Sequence, residues 1–424
     1  MRLPALAHRD FRNYQIGNFV SNVGNRMQGF ALILHVYERT HSNAFVGGLG
    51  LVRVVPLLLF ALFGGVIADH YDRRKVLLLT QFGMLAVAVA LAAVRVLHCD
   101  EVWMLYLLVA AGAVANAFNG PVRQAMIANL VPAKDFPNAA SINGIAWRLS
   151  DILGPMFAGL LVASSRFDGL AWAYILNAVS FVAVLYVVWL LPARPPTKAE
   201  KARSMRDVVE AIQGGIAFFK KAHVVRNTMV VDFWATFFAG AEALLPAFAH
   251  DVLGLDGTAA KAAAGLLASA GGVGALLASL ATALLPTIGR QGLWVLRMVA
   301  FFGLSTIGFG LSSSISLAFL CLACVGAADM VSTVLRQTIR QLSTPDEMRG
   351  RLGSIGMLFQ ISGPQLGDAE AGYAAEGLRL LGMAAAQAVR TSIVVGGVGS
   401  LLVALWWARS PLNTYDRHVE PESM

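Results

Sequence analysis

The chain has 424 residues, of which 57% are hydrophobic and only 14% charged, and its mean hydropathy is +0.64. Soluble domains carry about 25% charged residues, so this much apolar surface requires lipid as the solvent. The net charge of +8 could serve a nucleic acid, but the cations fall in every second loop instead of forming one patch, which excludes that class.

Twelve apolar stretches long enough to cross a bilayer follow one another, at 13–37, 44–68, 76–97, 103–129, 139–164, 170–191, 226–249, 259–285, 292–312, 315–340, 351–375 and 382–408. About 20 apolar residues are needed per crossing, and backbone groups in hydrocarbon must be satisfied internally. Runs of this length, without two-residue alternation, predict helices, so the fold class is an all-α polytopic membrane protein. Arg2, Arg9 and Arg12, then Arg73, Arg74 and Lys75, then Lys134, Arg194 to Arg226, Arg290, Arg340, Arg349, Arg351 and Arg409 mark one side, while the intervening loops are poor in Lys and Arg. This asymmetry puts both termini in the cytoplasm. No cleavable leader is expected, because the N-terminus is charged and the first span polar.

Span 1 carries Asn18, Asn22 and Asn25 at helical spacing, with Arg26 and Gln28 beside them. Such a face avoids lipid and must look inward, either as glue between helices or as cavity lining. Between spans 2 and 3 stands Gly64-Gly65-Val66-Ile67-Ala68-Asp69-His70-Tyr71-Asp72-Arg73-Arg74-Lys75, a loop short enough to make its helices antiparallel neighbours. Asp69 contributes nothing to positive-inside sorting, and it can accept hydrogen bonds at a neighbouring helix N-terminus. Span 4 adds Asn116, Asn119 and Arg123; span 5 adds Arg148 and Asp151, three apart and able to neutralise each other.

Residues 193–224 form the one long polar interruption, and 207–221 reads as an amphipathic surface helix with Val208, Val209, Ile212, Ile216 and Phe219 on its apolar side. It divides the chain into bundles at 1–192 and 225–424. Span 7 carries Asp232, Trp234, Phe238 and Glu242; span 10 carries Asp329 and Arg336; span 11 carries Asp368 and Glu370. A charge at mid-bilayer costs roughly 2.5–3.5 kcal/mol, so each such residue needs a reason. Cys321 and Cys324 sit in an apolar span and read as packing residues; the histidines show no metal-ligand spacing, and no nucleophile–base set stands out. The glycines of Gly47-Gly48-Leu49-Gly50 and Gly271-Gly272-Val273-Gly274 are expected to permit close helix approach.

The two halves repeat in register. Arg123-Gln124, Pro132, Ser141-Ile142, Gly154 and Ala158-Gly159 recur 213 residues later as Arg336-Gln337, Pro345, Ser354-Ile355, Gly367 and Ala371-Gly372. Spans 4–5 and 10–11 are therefore a duplicated unit, and the bundles are expected to be related by a pseudo-two-fold axis along the membrane normal.

The Gly65-x-x-x-Asp69-x-x-x-Arg73-Arg74 loop resembles that between helices 2 and 3 of the major facilitator superfamily. Leu342 to Arg351 before span 11 and Gly363 to Gly372 within it resemble the proton-driven exporter group that includes enterobactin exporters and macrolide efflux proteins. Asp72 departs from the family loop, which usually has Gly there, and the matching loop of the second half lacks the acid.

The resemblance implies a latch at Gly65, Asp69, Arg73 and Arg74, and a cavity among spans 1, 4, 7 and 10. Asn18, Asn22, Asn25, Arg26, Asn116, Asn119, Arg123, Trp234 and Phe238 would line that cavity. A carboxyl drawn from Glu242, Asp329, Asp368, Glu370 and Asp151 would couple protons, with Glu242 and Asp329 foremost. Expected is a secondary active transporter of the bacterial-type inner membrane, working as a monomer. It would need no cofactor or metal beyond the proton gradient, and would export an amphipathic siderophore or drug; it is not read as an enzyme. A lipid flippase, a nutrient importer and a non-transporting scaffold are the alternatives.

Overall fold

The computed structural model describes residues 4–192, 205–284 and 289–416; for 61–70, 205–212 and a few positions elsewhere only the backbone is described. Its long helices are α1 (Arg9–Thr40), α2 (Asn43–His70), α3 (Arg73–Val96), α4 (Val102–Leu130), α5 (Phe136–Val162), α6 (Gly169–Leu190), α7 (Met205–Lys221), α8 (His223–Phe238), α9 (Gly257–Leu284), α10 (Gln291–Leu311), α11 (Ile315–Leu342), α12 (Asp346–Leu380) and α13 (Ala385–Trp407). Helices α1–α6 are spans 1–6, α7 is the amphipathic linker helix, and α8–α13 are spans 7–12. Among the described residues ten segments are apolar and long enough to cross a membrane; α1 and α12 have the length but are more polar.

The chain forms two compact units. Unit 1 comprises 1–41, 52–208 and 256–269, and unit 2 comprises 42–51, 209–255 and 270–424. Within unit 1, α1 packs on α5 and α6, and α3 on α4 and α6. Within unit 2, α8 packs on α12 and α13, and α10 on α11 and α13. The second set is the first shifted by six spans, so the duplication seen in the residues is a duplication of packing. The cores are aliphatic and aromatic: Phe11, Tyr14, Leu77, Met126 and Phe181 in unit 1, and Val231, Val295, Leu335 and Ile339 in unit 2.

The units do not coincide with the halves of the chain. The start of α2 belongs to unit 2, where Ser42 Oγ and the Asn43 N–H both donate to Glu376 of α12 at 3.0 Å. The start of α9 belongs to unit 1, where Lys261 Nζ donates to Glu38 of α1 at 2.8 Å.

Span 7 is not one continuous helix over 226–249. After α8 the chain passes through Ala239–Ala241 into a 3-10 turn (Glu242–Leu244), a single α turn (Leu245–Ala247) and a π turn (Phe248–Val252). Pro246 lacks an N–H and its ring opposes the carbonyl four residues back, at Glu242. Gly240 meets the α12 backbone here: a Cβ on it would lie 2.3 Å from the Gly367 carbonyl carbon. The Ala243 N–H freed by the break donates to the buried Asp368 Oδ1 at 3.2 Å.

The glycine segment of span 8 meets α11. A Cβ on Gly274 would sit 1.7 Å from the Ala323 carbonyl oxygen, whereas one on Gly271 has its nearest such neighbour at 4.0 Å. Gly274→Ala should therefore lower thermal stability, with a cost of about 1–3 kcal/mol or more for backbone overlap. Gly271→Ala should be neutral or slightly stabilising by helix propensity. Melting of the two variants in detergent checks this; equal melting points would show that the crossing is not tight.

Candidate functional site

In unit 2 the buried Arg336 of α11 gathers two carboxylates. Its Nη2 lies 2.7 Å from Asp232 Oδ1 of α8 and 3.5 Å from Asp329 Oδ1, while its guanidinium donates to Ser332 Oγ and Thr333 Oγ1 at 2.9 and 2.8 Å. Asp329 stands seven residues before Arg336 on the same helix, so two turns bring them onto one face, and Ser332 and Thr333 fill the turn between. The Asp232 side chain is 8% exposed and that of Asp329 is 37% exposed. A recess of about 10 Å³, room for one water, is lined by Thr236, Ala328, Asp329, Ser332 and Arg336. Two acids thus compete for one guanidinium, and the more accessible acid is beside the recess.

In unit 1 the residue equivalent to Arg336 is Arg123. It is buried and donates to Asn22 Oδ1 at 2.9 Å, and no described carboxylate forms an ion pair with it. Its guanidinium lies over the Trp147 ring, 5.6 Å from the centroid, and Arg26 lies over the same ring at 5.3 Å. Arg26 also holds Asp151 at 2.7 Å, while Arg148 stands 3.8 Å from it.

At the far end of α1, opposite the α2–α3 loop, unit 1 carries a third polar cluster. The buried His35 bridges Tyr174 OH (2.9 Å) and Asp100 Oδ2 (2.8 Å), and Arg95 joins Asp100 (2.9 Å) to Asp168 (2.8 Å). Burial pushes the Asp100 carboxyl up, but hydrogen bonds from His35 and Arg95 outweigh it and hold the group at about 2. Asp168 is held low in the same way, by Arg95 and by the Ala171 and Leu170 N–H groups at the start of α6.

A depressed carboxyl stabilises the fold above its unfolded value, and that contribution disappears as pH falls through the folded one. Asp100→Asn should therefore cost on the order of 2 kcal/mol at neutral pH. The gap to the parent should close as pH falls from about 4 towards 2. Melting in detergent across that range checks it; a pH-independent gap would assign the loss to packing.

A family described as transmembrane secretion effectors matches residues 2–422. The chain belongs to this family, within the major facilitator superfamily. The enterobactin exporter EntS of Shigella boydii serotype 4 (strain Sb227) is 27% identical over 403 residues, 93% of this chain and 92% of the exporter. EntS of Escherichia coli O81 (strain ED1a) matches to the same extent. The fold is similar to that of a bacterial homolog of the human lysosomal transporter Spinster in an inward-facing, unoccupied conformation, with TM-score 0.73, 16% identity and coverage of 96% and 97% of the two chains. It is also similar to the D-xylose–proton symporter (TM-score 0.72, 14% identity, 94% and 96%) and to the nucleoside transporter NupG (TM-score 0.70, 14% identity, 96% and 100%). The protein is a multi-pass membrane transporter and not an enzyme.

For this major facilitator chain the positions expected from the residues divide as follows. Asp329 joins Arg336 and Asp232, whereas Glu242 lies in the 3-10 turn after α8, away from that cluster. Asp368 serves the break in span 7, and Glu370, two residues on, lines a separate groove with Leu378 and Thr391. Asp151 finds its closer partner in Arg26 of α1; the local spacing had favoured Arg148. Asn119 is glue to α3, within 3.3 Å of Gln81 and 3.5 Å of Thr80. Asn18 and Asn22 are buried, Asn25 is half-buried and Asn116 exposed. Trp234 is partly exposed and stacks on Phe238, which itself packs into the unit 2 core and against Gly399 of α13.

In the loop, Asp72 caps α3 by accepting from the Arg74 N–H at 2.9 Å, and Arg74 donates to the Trp189 carbonyl. The side-chain surroundings of Gly65 and Asp69 lie outside the described residues. Of the linker helix, Phe218 and Phe219 pack on Val225, Met229 and Leu352, while Ile216 is exposed.

Asp232 was expected among the polar residues of span 7 but not as the partner of Arg336, and the His35–Asp100–Arg95 cluster was not expected at all. Signals existed in a lone histidine within an apolar run and in an acid placed one repeat from span 1, but neither names its partner.

Proposed function

We propose that this transporter is a proton-coupled exporter of an amphipathic small molecule, of siderophore or drug type, with Asp329 as the carboxyl that takes the proton. The observation that carries this is the sharing of Arg336 by Asp232 and Asp329 at the middle of α11, with the accessible acid beside a water-sized recess. When Asp329 is charged it competes for the guanidinium; when protonated it releases Arg336 to Asp232. That is a two-position switch set by one proton, which alternating access requires. Export, rather than import, is supported by the enterobactin exporters among the relatives.

The chain would lie in the bacterial inner membrane with both termini cytoplasmic, act as a monomer, and use the proton gradient without a cofactor. Asp69, with Arg73 and Arg74, would latch the cytoplasmic side. One proton moved through 100 mV releases about 2.3 kcal/mol, enough for a substrate gradient of about fifty-fold.

The deciding measurement uses proteoliposomes with an imposed pH gradient and a panel of dyes and siderophores. Substrate movement against the proton flow is expected. Movement with it would make the protein an importer, and no movement under gradients of either sign would leave a scaffold.

A further inference from the structure

A buried guanidinium must be neutralised or solvated, and the two repeats of this chain treat theirs differently. Arg336 has Asp232 at 2.7 Å. Arg123, its counterpart 213 residues earlier, has neutral partners instead, the Asn22 amide oxygen at 2.9 Å and the Tyr14 hydroxyl, and no described carboxylate pairs with it. Asn22 and Tyr14 of α1 meet it, and Gln15 and Asn18 share their face of that helix, each of the four at most 5% exposed. The Tyr14 hydroxyl interacts with the guanidinium, whereas both amide atoms of Gln15 and Asn18, and Asn22 Nδ2, complete no hydrogen bond.

Buried donors and acceptors without partners cost about 1–3 kcal/mol each, and an uncompensated charge costs more. A protein keeps such a set where something else completes it. The set combines one fixed positive charge with several neutral donors, which is the chemistry that receives an anionic oxygen group. Trp147, 40% exposed, lies against this guanidinium and against that of Arg26, which puts an aromatic surface and a second cation beside the set. Asp151 does not compete for Arg123, because Arg26 engages it at 2.7 Å.

We infer that Arg123, with Asn22 and Tyr14, is the binding point for a carboxylate carried by the transported molecule. The inference rests on the exporter reading and narrows its substrate class to anionic amphipaths.

The test uses the full chain in phosphatidylcholine nanodiscs and equilibrium dialysis with 1-naphthoate, 1-naphthalenemethanol and 1-naphthylmethylamine, which share one ring system and differ in charge. The parent should bind the carboxylate at least about tenfold more tightly than the alcohol or the amine, the range for a charge-assisted hydrogen bond. Arg123→Gln should reduce naphthoate to the affinity of the alcohol. Asn22→Asp supplies an internal counter-ion, so it should abolish the preference while melting at or above the parent temperature; this keeps the test valid if Arg123→Gln folds poorly.

A parent that does not prefer the carboxylate, or an Asn22→Asp protein that binds naphthoate as the parent does, overturns the proposal. Displacement of naphthoate by added phosphatidylglycerol, dependent on Arg123, would reassign the site to a lipid headgroup and overturn it as well. Loss of the preference with proteoliposome transport intact sinks only the anion site. An intact preference without transport sinks the exporter reading instead.

Discussion

Asp329→Asn should abolish transport driven by a pH gradient while leaving substrate exchange across proteoliposomes largely intact. Exchange needs the conformational cycle but no net proton movement. A neutral amide at 329 can still face Arg336 yet takes up no proton, so the two processes should separate. The expected loss of gradient-driven rate is about a hundredfold or more, the scale of deleting an essential acid–base group. Glu242→Gln, in the turn beyond α8, is the control and should retain the parent pH profile. If Asp329→Asn keeps gradient-driven transport, the coupling acid lies elsewhere, and Asp368 at the break in span 7 becomes the next to test.

The Asp232–Arg336 pair should show the largest effect on stability. Both side chains are under a tenth exposed and 2.7 Å apart. Arg336→Ala leaves Asp232 buried without its main partner, a change that costs about 3–5 kcal/mol. Arg340, one turn further along α11 and within electrostatic reach of Asp232, should hold the loss towards about 3 kcal/mol. The double change Asp232→Asn with Arg336→Met removes both charges and should recover most of the loss, because the buried pair itself contributes little beyond its desolvation cost. Denaturant unfolding of the single and double variants measures this. A double variant no better than Arg336→Ala would show that the site needs the charges for folding, and the pair would then be a structural element before a functional one.

Much of the architecture was legible in the residues because hydrophobic length and cation placement are local properties. Apart from the broken span 7, the apolar runs gave helix positions to within about five residues, and the Arg123/Arg336 register announced a duplication that reappears as equivalent packing of α1, α5 and α6 and of α8, α12 and α13. Buried asparagines on α1 were visible from their spacing. Contacts that depend on a neighbouring helix were not. Asp151 has Arg148 one turn away in sequence, yet its closer partner arrives from α1. Asn119, for which interhelical glue and cavity lining were both open, bonds to Gln81 of α3.

Sequence alone determined the solvent, the helical class and the two-fold plan, since these follow from how many apolar residues stand in a row and where the cations fall between them. Tertiary structure decided which charges meet. It put Asp232 on Arg336 and left Arg123 with amides, broke span 7 against Gly367, and tied His35, Asp100 and Arg95 together across more than sixty positions of chain. The physical reason is that an ion pair in lipid is selected by the few ångströms separating two side chains. Those distances are set by how helices pack, which spacing along any single helix does not encode.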